Sequence, residues 1–276
     1  RLARNMWRER GKGEKGQKQK VLYEIGMLTR LLLSAVIYGD RRDTAEFMNG
    51  ISLAGDSVLW SEERVYLEEK LSRLDTNTKV NQVRREISDA CLKFAERRPG
   101  IYRLSVPTGA GKTLSAFRYA LVHGKKYRKK RIIFIIPLLS VLDQNARVIR
   151  EYVRDERIVL EHHSNVVREK EESSEREELD LYEMLTESWD SPIVISTLVQ
   201  LLHILFSHKT SAVRRMQALC DSVIIIDEVQ SLPKKTMVMF NMALNFLQMH
   251  CNATVILSSA TQPCLEELDW PVRFGD

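Results

Sequence analysis

Val106-Pro107-Thr108-Gly109-Ala110-Gly111-Lys112-Thr113 is the stretch on which the reading of this chain turns. It follows a short apolar run, Tyr102–Val106, and opens a segment with helical spacing, Thr113–His123. A strand, a glycine-rich turn and a helix in that order form the setting in which a loop wraps an anion. Gly109 and Gly111 can take backbone angles that a side chain would forbid, which lets the amides of Thr108 through Thr113 approach phosphate oxygens. The positive end of the following helix faces the same point. Lys112 then suits the β- and γ-phosphates of a nucleotide, and the Thr113 hydroxyl suits Mg2+.

Outward from this loop the chain alternates. Apolar, β-branched runs at Ile132–Ile136, Ile193–Ser196, Val223–Ile226 and Thr254–Leu257 are separated by helical segments at Ser140–Val153, Leu198–Phe206 and Lys234–Met249. Strands without polar residues, interleaved with helices, predict an α/β fold with a parallel sheet covered on both faces. The run Val223–Ile226 ends in Asp227-Glu228-Val229-Gln230. Adjacent residues of a strand point in different directions. Asp227 is therefore expected to hold Mg2+ while Glu228 deprotonates an attacking water, two tasks that one metal-bound carboxylate performs poorly. Ser258-Ser259-Ala260-Thr261 closes the next apolar run, and its hydroxyls are candidates to bond the acidic pair and follow it.

Composition sets wider limits. The chain of 276 residues is 44% hydrophobic and carries a formal net charge of +5, enough core for one large domain and a balance that favours polyanionic partners. Cys91, Cys220, Cys251 and Cys264 show neither metal-binding nor disulfide spacing. No run approaches the roughly 18 apolar residues of a membrane span, so a soluble, intracellular protein is expected. The chain begins with Arg1 and is expected to be an internal piece of a longer protein. Residues 1–20 are basic and read as flexible. Val21 to Phe47 has helical spacing at Leu22, Ile25, Leu28, Leu31, Leu32, Ala35 and Val36, predicting a buried helix that ends near Gly39. Helices are expected over Ser61–Leu74, capped by Ser61, and over Asn81–Arg98, with irregular chain over 48–60 and a solvated, charged excursion over 168–190.

The loop with Val106 in place of the first glycine, the Asp227-Glu228-Val229-Gln230 box and Ser259-Ala260-Thr261 together resemble superfamily 2 helicases. Asn81-Gln82-Val83-Arg84, Ile136-Pro137-Leu138 with Asp143-Gln144-Asn145, His162-His163-Ser164 and Ser196-Thr197-Leu198 narrow the resemblance to the CRISPR-associated helicase–nucleases of type I systems. The resemblance implies a RecA-like motor domain over 81–276, a linker and helix over 56–80, and the end of an HD-type nuclease domain over 1–55. It implies ATP and Mg2+ as ligands, with Gln82 on the adenine and Gln230, Ser259 and Thr261 coupling hydrolysis to movement. Pro137, Leu138, Gln144, Ser196 and Thr197 would lie along single-stranded DNA. Asp40 would close a nuclease site for a divalent transition metal, although no histidine precedes His123 to complete it. Further implied partners are a crRNA-guided surveillance complex and a second RecA-like domain, in a prokaryotic cytoplasm. With that second domain outside the chain, weak nucleotide binding and slow hydrolysis are expected. A DExH/DEAD-type RNA helicase and an ATP-binding scaffold are the alternatives.

Overall fold

The computed structural model describes residues 14–49, 60–163, 186–261, 263–268 and 270–275. Six strands form one all-parallel sheet: β1 (Ile101–Ser105), β2 (Arg131–Ile136), β3 (Val159–His162), β4 (Ile193–Thr197), β5 (Ser222–Asp227) and β6 (Thr254–Ser259), in the order β1-β6-β5-β2-β4-β3. Alternation along each strand divides the core in two. Ile133, Ile135, Val194, Ile224, Ile226, Val255 and Leu257 pack against α6 (Leu198–Phe206) and α8 (Met237–His250), while α7 (Thr210–Arg214) lies beside α6. Ile132, Phe134, Ile136, Ile193, Ile195, Val223 and Ile225 pack against α4 (Lys112–Lys126) and α5 (Leu139–Glu151). Burial on both faces is why these strands carry no polar alternation. The α/β sheet anticipated from the sequence is the one observed.

Helix α1 (Glu14–Asn49) lies over the α6–α8 face, and α2 (Trp60–Ser72) and α3 (Lys79–Phe94) lie on the α4 side. At the outer edge of β1 the chain returns. Phe274 bridges Ile101, the Gly275 amide donates to the Ile101 carbonyl at 2.9 Å, and the Arg103 guanidinium sits 4.0 Å above the Phe274 ring.

Several expectations need correction. Strand β3 is absent from the sequence reading, because only Val159 and Leu160 of its residues are apolar. Glu161 and His162 are nevertheless buried, Glu161 through its ion pair with Arg150 and His162 by accepting from the Trp189 indole at 3.0 Å. The solvated excursion does not extend to residue 190: Trp189 is fully buried, and Asp190 pairs with Arg131. Residues 168–185 of that stretch lie within the undescribed span 164–185, and 1–13 and 50–59 are likewise outside the described residues. Residues 14–20 are helical rather than flexible. Helix α1 also passes through Gly39 instead of ending there. Helix α2 begins at Trp60, so Ser61 is not its cap, and α3 is capped by Thr78, whose hydroxyl accepts from the Asn81 amide at 3.2 Å.

The buried face of α1 is likewise not the one expected. Tyr23, Met27 and Ser34 face inward, whereas Leu22, Leu32 and Val36 are exposed. Over Lys18–Arg41 the helix carries apolar residues on every side, with mean hydropathy 1.5 over its most apolar window. Periodicity therefore could not choose the face, and the chain does contain a helix long and apolar enough to cross a membrane. Polar anchors settle its position here. Tyr23 Oη donates to the Met239 carbonyl at 3.1 Å, Arg30 Nε to the Ile204 carbonyl at 2.7 Å, and Ser34 Oγ to the Arg214 carbonyl at 2.8 Å.

His123 ties α4 to its surroundings, with Nε2 2.8 Å from Thr254 Oγ1 and Nδ1 3.0 Å from the Ala95 carbonyl. Burial lowers its pKa to about 4, although the Ala95 hydrogen bond opposes the shift. Burial, with Arg215 and His163 nearby, lowers His162 to about 3. Both are neutral in the fold and bind protons more readily once unfolded, so the unfolded state gains as pH falls from its ordinary histidine value of roughly 6.5. We expect the thermal midpoint to drop between pH 6.5 and 4. A His123→Gln variant should be less stable than the parent at pH 7 and lose less on acidification. Identical pH slopes in calorimetry would remove His123 from this account.

Candidate nucleotide site on the carboxyl edge of the sheet

A sheet of parallel strands delivers all its carboxyl ends to one edge, where ligands of open α/β folds bind. The phosphate loop follows β1, Asp227 and Glu228 end β5, and Ser258 and Ser259 end β6. Strand β6 runs between β1 and β5, with Ser259 opposite Ser105 and Ser258 opposite Asp227. The hydroxyl segment is thus inserted between the loop and the acidic pair by strand order.

Gly109 and Gly111 have φ of +78° and +76°, the left-handed angles anticipated for the loop. The Arg84 Nε donates to the Gly109 carbonyl at 2.9 Å and holds the loop from α3. Lys112 Nζ donates to Glu228 Oε1 at 2.7 Å and stands 3.9 Å from Asp227 Oδ1. Thr113 Oγ1 donates to Asn145 Oδ1 on α5 at 2.8 Å, and Ser258 Oγ donates to Asp227 Oδ1 at 2.9 Å. Each oxygen expected at the cation keeps lone pairs free, as a hard, oxygen-seeking ion requires.

The two carboxylates differ. Burial raises Asp227 above the ordinary carboxylate range, against the pull of the Ser258 hydrogen bond and Lys112. Burial also pushes Glu228 upward, but hydrogen bonds from Lys112 and Gln230 outweigh it and hold Glu228 below that range. Glu228 sits at φ +48°, ψ +51°, a left-handed conformation that costs a non-glycine residue on the order of 1–2 kcal/mol and aims its side chain across the loop. Gln230 Nε2 donates to Glu228 Oε2 at 2.5 Å. Ser259 Oγ reaches both Gln230 Oε1 and the Thr261 carbonyl, and accepts from the Thr261 amide at 3.1 Å. Lys112, Glu228, Gln230, Ser259 and Thr261 therefore form one continuous polar chain.

Of the other residues singled out from the sequence, Pro137, Leu138, Ser196 and Thr197 lie at or just after the carboxyl ends of β2 and β4. Pro137 and Leu138 follow β2, with Leu138 exposed, and Gln144 is exposed on α5 in an open surface groove that it shares with Ser140, Asp143 and Arg147. Ser196 is fully buried with its hydroxyl donating to the His162 carbonyl at 2.7 Å, which withdraws that side chain from contact with a strand. Thr197 caps α6 by accepting from the Gln200 amide at 3.2 Å. Gln82 is exposed on α3. Asp40 is exposed on α1, and among the described residues it joins no group of metal-binding side chains.

The residues that sequence reasoning left without a role are Arg84, Asn145 and the trio Asp143, Glu161 and His163. His163 Nε2 stands 3.6 Å from Asp143 Oδ1 and 3.7 Å from Glu161 Oε2. These neighbours of His163 come from α5 and from the end of β3.

A phosphate loop on β1, an acidic pair on β5 and a hydroxyl-bearing strand between them define a nucleotide-binding motor ATPase domain. Residues 86–268 match the DEAD/DEAH box helicases, and the chain belongs to that family. Within it the chain is similar to the CRISPR-associated nuclease/helicase Cas3 of Haloferax volcanii, at 26% identity over 184 residues, covering 60% of this chain and 20% of that protein. The T. fusca Cas3–ADP structure superposes with a TM-score of 0.58 at 20% identity, covering 72% of this chain and 23% of that one. The T. fusca Cas3–AMPPNP structure gives 0.58 at 21% identity, over 72% and 22%. The chain thus spans about a fifth of the length of these relatives.

The nearest atoms that a Cβ on Gly111 would meet belong to the flexible Arg84 side chain, at 3.5 Å, so its substitution tests chiefly backbone strain. Gly111→Ala should cost about 1–2 kcal/mol of stability and lower nucleotide affinity by more than a control alanine at exposed Lys130. Calorimetry with fluorescent-nucleotide titration measures both, and unchanged affinity would show that the loop tolerates another geometry.

Proposed function

We propose that the chain is the nucleotide-binding motor domain of an ATP-driven single-stranded DNA translocase that acts with a nuclease in CRISPR interference. The observation that carries this reading is the polar chain from Lys112 through Glu228, Gln230 and Ser259 to Thr261, which joins the phosphate loop to the segment after β6. When nucleotide enters, Lys112 exchanges Glu228 for phosphate oxygens and Glu228 is released as a base. A water then attacks the γ-phosphorus, its proton passes to Glu228, and the bond to the β-phosphate oxygen breaks to leave ADP and phosphate. Movement of the released Glu228 would pull on Gln230, bonded to its other oxygen, and so carry the change to Ser259 and Thr261.

Thr113 and Asp227 would hold Mg2+, which when bound supplies positive charge to the phosphates. Gln82 would face the adenine. The exposed Leu138 and Gln144, with Pro137 and the amides around Thr197, would follow a DNA backbone without reading sequence. The Haloferax relative is a CRISPR-associated nuclease/helicase, which supports the CRISPR setting. In this reading a guide-RNA complex would deliver the substrate and a second RecA-like domain would complete the site, in the cytoplasm. Residues 1–55 would belong to the nuclease side and 81–276 to the motor, joined through 56–80. On the nuclease side, Asp40, exposed on α1, would supply one carboxylate to a divalent transition-metal site whose other ligands come from the rest of that domain.

The test is the ATPase rate of the protein with and without single-stranded DNA, beside Glu228→Gln. DNA should stimulate hydrolysis, and the variant should remove the stimulated rate by roughly 10²–10⁴-fold. Equal stimulation by RNA would replace this reading with an RNA helicase. A Lys112→Ala variant that keeps full interference in cells would replace it with a scaffold.

A further inference from the structure

We infer that Asn145 is a positioning residue for the cation bound with the nucleotide: it fixes the rotation of the Thr113 hydroxyl so that the oxygen lone pairs face the phosphate loop. The inference rests on the nucleotide reading above and adds a residue to it. A threonine hydroxyl carries one hydrogen and two lone pairs, and as a cation ligand it must send the hydrogen elsewhere. Here the hydrogen goes to Asn145 Oδ1 at 2.8 Å, in a partly buried position. Without that acceptor, a hydroxyl in the first turn of a helix turns readily toward nearby backbone carbonyls and presents its hydrogen where a cation would sit.

Both ends of the bond are rigidly held. Thr113 opens α4, whose next turn is buried through Ser115, Ala116 and Phe117. Asn145 stands beside Leu142, Ala146 and Ile149, the buried stripe of α5. The two helices pack on one face of the sheet, so the acceptor is delivered by core packing. Helix α5 also begins directly after Leu138 and carries exposed Gln144 next to Asn145. A strand bound there would press on the helix that orients the Thr113 hydroxyl.

The experiment is titration of the chain with a fluorescent ATP analogue in Mg2+ and again in EDTA. In the parent, Mg2+ should tighten binding. Asn145→Leu should weaken the Mg2+ affinity about tenfold, in line with loss of a group that orients a metal ligand, and leave the EDTA affinity unchanged. Asn145→Asp, which keeps an acceptor oxygen, should recover the Mg2+-dependent gain. In a Thr113→Val background Asn145→Leu should have no further effect, because the two changes act through one bond. Equal weakening in Mg2+ and EDTA, or full Mg2+ gain in Asn145→Leu, overturns the inference. Should the leucine variant fail to fold, Asn145→Ala takes its place with the same outcomes. A parent whose affinity ignores Mg2+ refutes the underlying nucleotide reading, and that failure is visible before any substitution is made.

Discussion

The placement of β6 between β1 and β5 is the constraint on which the rest of this structure depends. Parallel register forces Ser259 opposite Ser105 and Ser258 opposite Asp227, so every strand end near the loop brings a specific oxygen or cation to one spot. Sheet order sets that proximity before any side chain chooses a rotamer. Were β1 and β5 direct neighbours, Lys112 could still meet Glu228, but no hydroxyl pair would stand between loop and carboxylates.

The site's electrostatics follow from that crowding. Lys112 stands close to two carboxylates that burial treats unequally, and its hydrogen bond to Glu228 helps hold that one low. The lysine's engagement with Glu228 keeps both charges satisfied in a partly buried position, where an isolated ion would be costly. The same pairing keeps the Glu228 carboxylate occupied until something more negative competes for the lysine. The strained backbone at Glu228 is the local cost of reaching across the loop.

What could be read from the sequence was whatever local chemistry fixes within a few residues. The phosphate loop was legible because glycine, lysine and threonine must be adjacent to do their work, and the acidic pair because it ends an apolar strand. Five strands were legible because burial on both faces removes polar residues. Strand β3 was not, since Glu161 and His162 are buried by Arg150 and Trp189, partners that no window of sequence joins. Asn145 was quoted within a string but given no role, because its partner lies 32 positions away on another helix. The face of α1 was misread for a different reason: a helix with apolar residues on every side holds no directional signal, and Arg30 and Ser34, the residues that choose, bond to backbone carbonyls. Ser196 matched a string yet its hydroxyl is spent inside the fold.

Strand β1 is the outermost of the sheet, and it carries the phosphate loop. Its free edge is met by the Phe274–Gly275 segment, which bonds Ile101 and places an aromatic ring beneath Arg103. An uncovered β edge is a template for pairing with another chain. The returning segment therefore acts as a guard against self-association: where it detaches, the first strand to become adhesive is the one whose far end holds the nucleotide, so aggregation and loss of binding would set in together.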